Sequence, residues 1–191
     1  LFSIMRGFRL EKLLFRLLDE NEFLSDYGIR SLSKYHEEHP YVFQHNGHHQ
    51  ISYESGESRS NMFGGNSNWR GPIWLPLNYM IVQSLRKYYS YYGDQYVYEF
   101  PTGSGVKLNL NEIANEISKR LIKLFEPNEN GKFVYHSEDE QQLFTKNEQF
   151  KNEHFFYEFF DGDSGKGLGA SHQTGWTALI ANLIMELEQN T

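Results

Sequence analysis

Glu158 stands among Phe155, Phe156, Tyr157, Phe159 and Phe160. A carboxyl group set among rings loses hydration, which disfavours its charged form, while a phenol such as Tyr157 can hydrogen-bond the carboxylate. That pairing suits proton transfer near neutral pH. The competing reading is a glutamate facing solvent from an otherwise buried strand or turn. A second stretch, Asn66-Ser67-Asn68-Trp69-Arg70-Gly71-Pro72-Ile73-Trp74, puts a ring, a planar cation and a glycine side by side. Arg70 can clamp hydroxyls or orient a carboxylate; equally, it can cap carbonyls beneath a helix. Gly71 lets the backbone approach a ligand, and Trp74, near a helix start, reads as core. In the third stretch, Ser171 to Thr177, polar groups converge on His172, and Trp176 supplies another ring. Ser171 and His172 are sequence neighbours that seldom point at one another, which sets a nucleophilic serine aside. Stacking faces, carboxylates and amides together are the chemistry of a sugar site.

Other chemistries fit less well. The chain has no cysteine, so disulfides, thiol catalysis and thiolate-bound zinc are excluded. His45, His48 and His49 sit in a glycine-containing loop without a clear third ligand. Asp161-Gly162-Asp163-Ser164-Gly165 looks like half a calcium loop, but no glutamate follows at the spacing an EF-hand needs, and turn formation explains the aspartates better. A net charge of -7 disfavours nucleic acid as a partner. No apolar run approaches the roughly 18–20 residues of a membrane span. Aromatics make up 16% of residues, which suits either a ring-rich core or a cleft for flat sugar faces.

These residues need elements to hold them. The 191 residues suffice for one domain. Apolar positions from Phe8 to Glu20 follow helical spacing. Ser25 would cap a short helix through Ile29 and Leu32. Residues 36–53 read as a loop with room for a hairpin. Residues 54–70, rich in Ser, Gly and Asn, form a long loop of the kind that carries function. Pro72 opens a helix from Ile73 to Tyr92, ended at Gly93. Residues 99–105 are turn-rich, 111–125 form an amphipathic helix stopped by Pro127, and 128–131 turn. Residues 138–153 are a polar surface excursion. Thr174 or Thr177 begins a last helix through Leu187. The pattern is all-α, with function borne on loops.

With these blocks in view, the chain resembles glycoside hydrolase family 63, in particular the cytosolic-type relatives of processing α-glucosidase and mannosylglycerate hydrolase. Gly64-Gly65-Asn66-Ser67-Asn68-Trp69-Arg70-Gly71-Pro72-Ile73-Trp74 is similar to the family's WRGPIW block, and Phe156 to Gly165 to its Tyr-Glu block. Gly167 to Thr177 and Glu99 to Gly105 are similar to signatures of that branch. The resemblance runs from about Ser25 to the C-terminus. It implies the C-terminal part of an (α/α)6 barrel, 1–191 forming one partial domain. It also implies an inverting α-glycosidase acting on an α-glucosidic or α-mannosidic oligosaccharide. Glu158 would be the general base, and Trp69, Arg70, Gly71, Tyr157, His172 and Trp176 would line the sugar pocket. No cofactor or metal is implied, and the location would be cytoplasmic. The general acid would lie in upstream sequence that this chain needs to complete its catalytic domain, so 191 residues alone should not hydrolyse glycosides. The alternative is a non-catalytic carbohydrate-binding or interaction remnant of the same fold. Leu1 to Gly7 has neither an initiator Met nor a signal pattern and reads as the middle of a longer polypeptide.

Overall fold

The computed structural model describes residues 5, 7–44, 47–60, 68–147, 149–150 and 153–189. The glycines and Asn66-Ser67 ahead of Asn68, and His45 of the histidine cluster, lie outside them. In chain order the elements are α1 (Gly7–Leu17), β1 (Leu24–Ser25), β2 (Gly28–Ile29), β3 (Tyr41–Gln44), β4 (His48–Ile51), α2 (Leu75–Tyr92), β5 (Val97–Glu99), β6 (Lys107–Asn109), α3 (Leu110–Ile122), α4 (Glu138–Lys146), β7 (Phe159–Phe160), β8 (Gly167–Leu168), α5 (Thr174–Thr177) and α6 (Ile180–Gln189). The strands pair in sequence order into four antiparallel two-stranded ribbons, in registers such as Leu24↔Ile29 and Phe159↔Leu168. The expected all-α pattern is corrected accordingly: the fold is helical with small ribbons at the loops.

Helix α3 is the hub. Ile113, Ile117, Leu121 and the following Leu124 recur at spacings of three and four and are fully buried. Each contributes about 1.5–3 kcal/mol relative to leaving it exposed. Asn109 starts the helix with a capping box, its side chain accepting from the amides of Asn111 and Glu112 while Glu112 accepts from the Asn109 amide. Helices α2 and α6 pack on α3, bringing Val82, Leu85 and Leu183 into the core that α1 extends with Leu10 and Leu14.

Three boundaries differ from the sequence expectation, two of them because a long-range partner claims the backbone. The helix expected after Ser25 is the β1–β2 ribbon. Asn78 of α2 accepts from the Ile29 amide (2.7 Å) and donates to the Ile29 carbonyl (3.0 Å), so neither group can serve a helix. Gly28 turns the chain at φ +131°, where a Cβ would meet Leu121 at 2.7 Å. Helix α2 begins at Leu75, and the first-turn proline is Pro76 rather than Pro72. Ile73 instead exchanges both its backbone bonds with Phe160 (2.8 and 3.0 Å), tying the Trp-Arg-Gly block to β7. The last helix is broken: α5 is a single turn from Thr174, and α6 starts at Ile180.

The polar excursion at 138–153 opens with α4, capped by Ser137 and Glu140. It encloses His136 among Phe144, Phe155 and Tyr135. Burial holds the His136 imidazole below its ordinary range, against the opposing pull of Glu140. Among the described residues its Nδ1 has no hydrogen-bond partner. The folded state therefore binds fewer protons here than the unfolded chain, so stability is complete above about pH 6.5 and declines as pH falls below it. The Glu140 carboxyl feels burial pushing it up but is held low overall by its bonds to Ser137 and Tyr157, so its contribution is lost only in the more acidic carboxylate range. We expect the thermal midpoint to drop between pH 7 and 5.5, and His136→Phe to flatten that slope. Unchanged slopes in the variant would exclude His136 as the cause.

Candidate active site

Four segments meet around β7, two of them from far upstream in the sequence. Asn68 to Ile73 lies along it through the Ile73–Phe160 bridge, β8 pairs with it, and the turn before α5 closes on residue 156 through a bridge to His172. Residues 53–56 join through Glu54 N–H to the Arg70 carbonyl (2.8 Å) and Gly162 N–H to the Ser55 carbonyl (2.8 Å). The approach is close enough to exclude side chains. A Cβ on Gly162 would stand 2.5 Å from the Gly71 carbonyl oxygen, and one on Gly71, at φ +154°, would run into the Glu54 carbonyl.

Aromatic packing builds the floor. Trp74 is buried, as expected from its place at the helix start, and its Nε1 donates to the Asn68 carbonyl (3.0 Å). Trp69 stacks on it at 3.9 Å and 5°, with 46% of the residue still exposed. Phe159 stacks with Trp74 at 4.7 Å, and Trp176 meets it edge-on at 6.0 Å. A part-exposed indole on rigid buried rings is a ready platform for a flat apolar face.

Arg70 is buried, and its guanidinium is committed within the protein. Nη2 donates to Glu54 Oε2 (2.9 Å), Ser58 Oγ (2.6 Å) and Ser60 Oγ (3.3 Å), and Nε donates to Asn68 Oδ1 (3.3 Å). Asn68 in turn donates to the carbonyls of Glu54 and Gly56. These bonds fasten the start of the long loop beneath Trp69.

Glu158 is half-buried beside Phe159. Its amide donates to the Ala170 carbonyl (2.8 Å), its Oε2 accepts from the Ala170 amide (3.1 Å), and its carbonyl accepts from Trp176 Nε1 (2.9 Å). The rings next to it in sequence scatter into the core. Tyr157 is buried and donates to Glu140 Oε1 (3.2 Å); burial first, then the nearby negative charge, pushes its phenol up. Phe160 packs edge-on against Phe125. His172 is exposed and stacks on Phe155 at 5.2 Å. The structure thus brings Trp69, Gly71, Glu158 and Trp176 into one assembly, sets Arg70 beneath it, and turns the Tyr157 hydroxyl toward α4. Gly169 and Ala170 lie in the Gly167–Thr177 block and Glu54 opens the long loop, but the sequence marked none of the three for a role at the site; for Gly169 the density of glycines from 162 to 169 was the available signal.

Of the two aspartates expected to form a turn, Asp161 does so, whereas the Asp163 side chain ties the turn to Arg30, Lys34 and Tyr53. Asp161 Oδ1 accepts from the amides of Asp163 and Ser164. Asp163 pairs with buried Arg30 (3.1 Å) and Lys34 (3.0 Å) and accepts from Tyr53. Burial pushes the Asp163 carboxyl up, but the bonds from Lys34 and Tyr53 outweigh it and hold it low. No group of three or more His, Cys, Asp or Glu suited to a metal occurs among the described residues, and no helix among them is long and apolar enough to cross a membrane. An open groove of about 610 Å³ runs between α1 and α2, lined mainly by apolar side chains such as Leu13, Leu17, Leu77, Met80, Ile81 and Tyr88, and reaches Trp74 from the side of Ser31. Its apolar walls do not suit hydroxyl recognition, and Glu158 is not part of it.

The sequence profile described as the glycosyl hydrolase family 63 C-terminal domain matches residues 4–142. "Uncharacterized protein YMR196W" of Saccharomyces cerevisiae is 52% identical over 188 residues, 98% of this chain and 17% of its own length. The "Mannosyl-oligosaccharide glucosidase" of the same yeast is 26% identical, over 92% of this chain and 15% of that protein. The "Probable mannosyl-oligosaccharide glucosidase" of Schizosaccharomyces pombe is 27% identical, over 93% and 15% respectively. The chain therefore spans about one sixth of the length of the curated relatives it matches. The profile match takes in the Trp-Arg-Gly block and stops short of Glu158, whereas the alignment to the first relative covers nearly all of the chain. On the profile match, the chain belongs to glycosyl hydrolase family 63.

Proposed function

We propose that this chain is the base-bearing, C-terminal portion of the catalytic domain of an inverting α-glycosidase, completing an (α/α)6 toroid and acting on α-glucosidic or α-mannosidic oligosaccharides. The observation that carries the reading is Glu158, a half-buried carboxylate held by the Ala170 amide beside the Trp69–Trp74–Trp176 cluster. The names of the two yeast glucosidases support the substrate class. An inverting hydrolase needs two carboxyl groups about 6.5–9.5 Å apart, one protonating the leaving oxygen and one taking a proton from water on the opposite face. Glu158 takes the water's proton, and the acid comes from the remainder of a longer protein. That remainder covers the apolar α1–α2 groove, where exposed Leu13 and Met80 otherwise face water. A cysteine-free chain is compatible with the cytoplasm, where we place it.

The test is turnover of a panel of α-glucosides and α-mannosides by the full-length protein, with the first-formed anomer read by proton NMR. Release of the β-anomer supports the reading, and release of the α-anomer overturns inversion. Sugar binding without turnover would favour a non-catalytic carbohydrate-binding remnant. Trp69→Ala should lower kcat/KM, because a sugar face loses its indole while Trp74 still floors the site. If Trp69 is only structural, the variant loses stability and keeps kcat/KM per folded molecule.

A further inference from the structure

We infer that the Gly169–Ala170 turn is a positioning device for the Glu158 carboxylate. The inference rests on Glu158 being the base. Two sets of bonds restrain the residue. In one set, α5 fixes the main chain: Trp176 Nε1 donates to the Glu158 carbonyl (2.9 Å) and Thr177 Oγ1 donates to the Tyr157 carbonyl (2.7 Å). In the other, Ala170 holds both ends of the residue. Its carbonyl accepts from the Glu158 amide (2.8 Å), and its own amide donates to Oε2 (3.1 Å). A donor aimed at a carboxylate oxygen fixes the plane of the carboxyl group as well as its place, because the bond weakens steeply off line.

Gly169 makes that grip possible. It sits at φ +70°, and the side chain of Glu158 lies where a Cβ would go: 2.6 Å from Oε2, 2.9 Å from the Glu158 Cβ and 2.9 Å from Phe159 Cε1. Any side chain at 169 must displace the carboxylate or the ring beneath it. The glycine thus serves two needs, a left-handed turn and a space that the glutamate reaches across from the neighbouring arm of the β7–β8 ribbon. Neither Gly169 nor Ala170 touches substrate in this scheme. They act through Glu158.

The test uses the full-length protein with p-nitrophenyl α-D-glucoside and α-D-mannoside beside the panel of α-glucosides and α-mannosides. Gly169→Ala introduces both backbone strain and the Cβ. Gly169→Asn keeps the Cβ but relaxes the strain, since Asn tolerates left-handed backbone. Gly165→Ala is the control: it strains the same loop at φ +73° and presses on Tyr27, away from Glu158. Both substitutions at 169 should lower kcat about 10²-fold with KM little changed, the scale of a misplaced catalytic group. The control should lower the thermal midpoint and keep kcat per folded molecule. If Gly169→Asn restores wild-type kcat, backbone strain explains the loss and the positioning role is overturned. If Gly165→Ala lowers kcat as much as Gly169→Ala, the effect belongs to the loop and the positioning role is likewise overturned. If instead the wild-type protein turns over none of the substrates, or Glu158→Gln matches wild type, the glycosidase reading fails and takes this inference with it.

Discussion

Glu158→Gln in the full-length protein is expected to cut kcat by about 10²–10⁴-fold, the usual worth of general-base catalysis. The amide is nearly isosteric, and its oxygen can still accept from the Ala170 N–H, so the strand and its two restraints survive. What is lost is the capacity to take a proton from water. The thermal midpoint should therefore stay at the wild-type value while turnover collapses. A variant that keeps most of its activity at an unaltered midpoint would remove Glu158 from the mechanism. A variant that loses both together would mean the carboxylate is structural.

The second large effect is expected at Arg70, on stability. Arg70→Ala strips the ion-pair partner from Glu54, whose side chain is 15% exposed and keeps the Arg59 amide, and removes the guanidinium that Ser58, Ser60 and Asn68 share. Breaking a buried pair from one side costs about 3–5 kcal/mol, because a charge is left without compensation in a poorly solvated place. Arg70→Lys should recover only part of this: a single ammonium cannot reach Glu54, two serines and Asn68 from the positions a planar fork occupies. Denaturant titration measures the loss. Kinetics on the remaining folded protein then separates the two roles of Arg70. If the guanidinium matters only as a fastening, kcat/KM per folded molecule follows the ordering of the loop and of Trp69. If it binds sugar directly, the lysine variant loses affinity even where its stability is restored.

What could be read from the sequence was what repeats locally. α1, α2 and α3 announce themselves through apolar positions three and four apart, and Gly93 marks the end of α2. Trp69, Glu158 and Trp176 stood out because rings and carboxylates crowd into short spans. Three of the misreadings share one cause. Ser25, Ile29 and Leu32 have helical spacing, yet Asn78, 49 residues beyond Ile29, takes that residue's backbone bonds. Pro72 looked like a helix opener, yet Ile73 is drawn into the strand at Phe160. Tyr157 looked like a companion for its neighbour Glu158, yet its hydroxyl reaches Glu140. A partner that distant leaves no periodic trace around the residue it captures.

The same distances set the order in which the molecule comes together. Ser55 meets Asp161 across 106 positions, Tyr53 meets Asp163 across 110, and Arg30 reaches Asp163 across 133. Helices can form from neighbours within a turn, whereas these contacts must first close loops of a hundred residues or more, which slows their formation. The segments they join are ribbons of two to four residues and irregular chain, with little helical structure of their own to hold them meanwhile. The docking of residues 53–55 on residues 161–163, beside the groups proposed to do chemistry, is therefore expected late in folding. We expect activity to return after the helical signal when the protein refolds, which stopped-flow circular dichroism beside an activity assay would check.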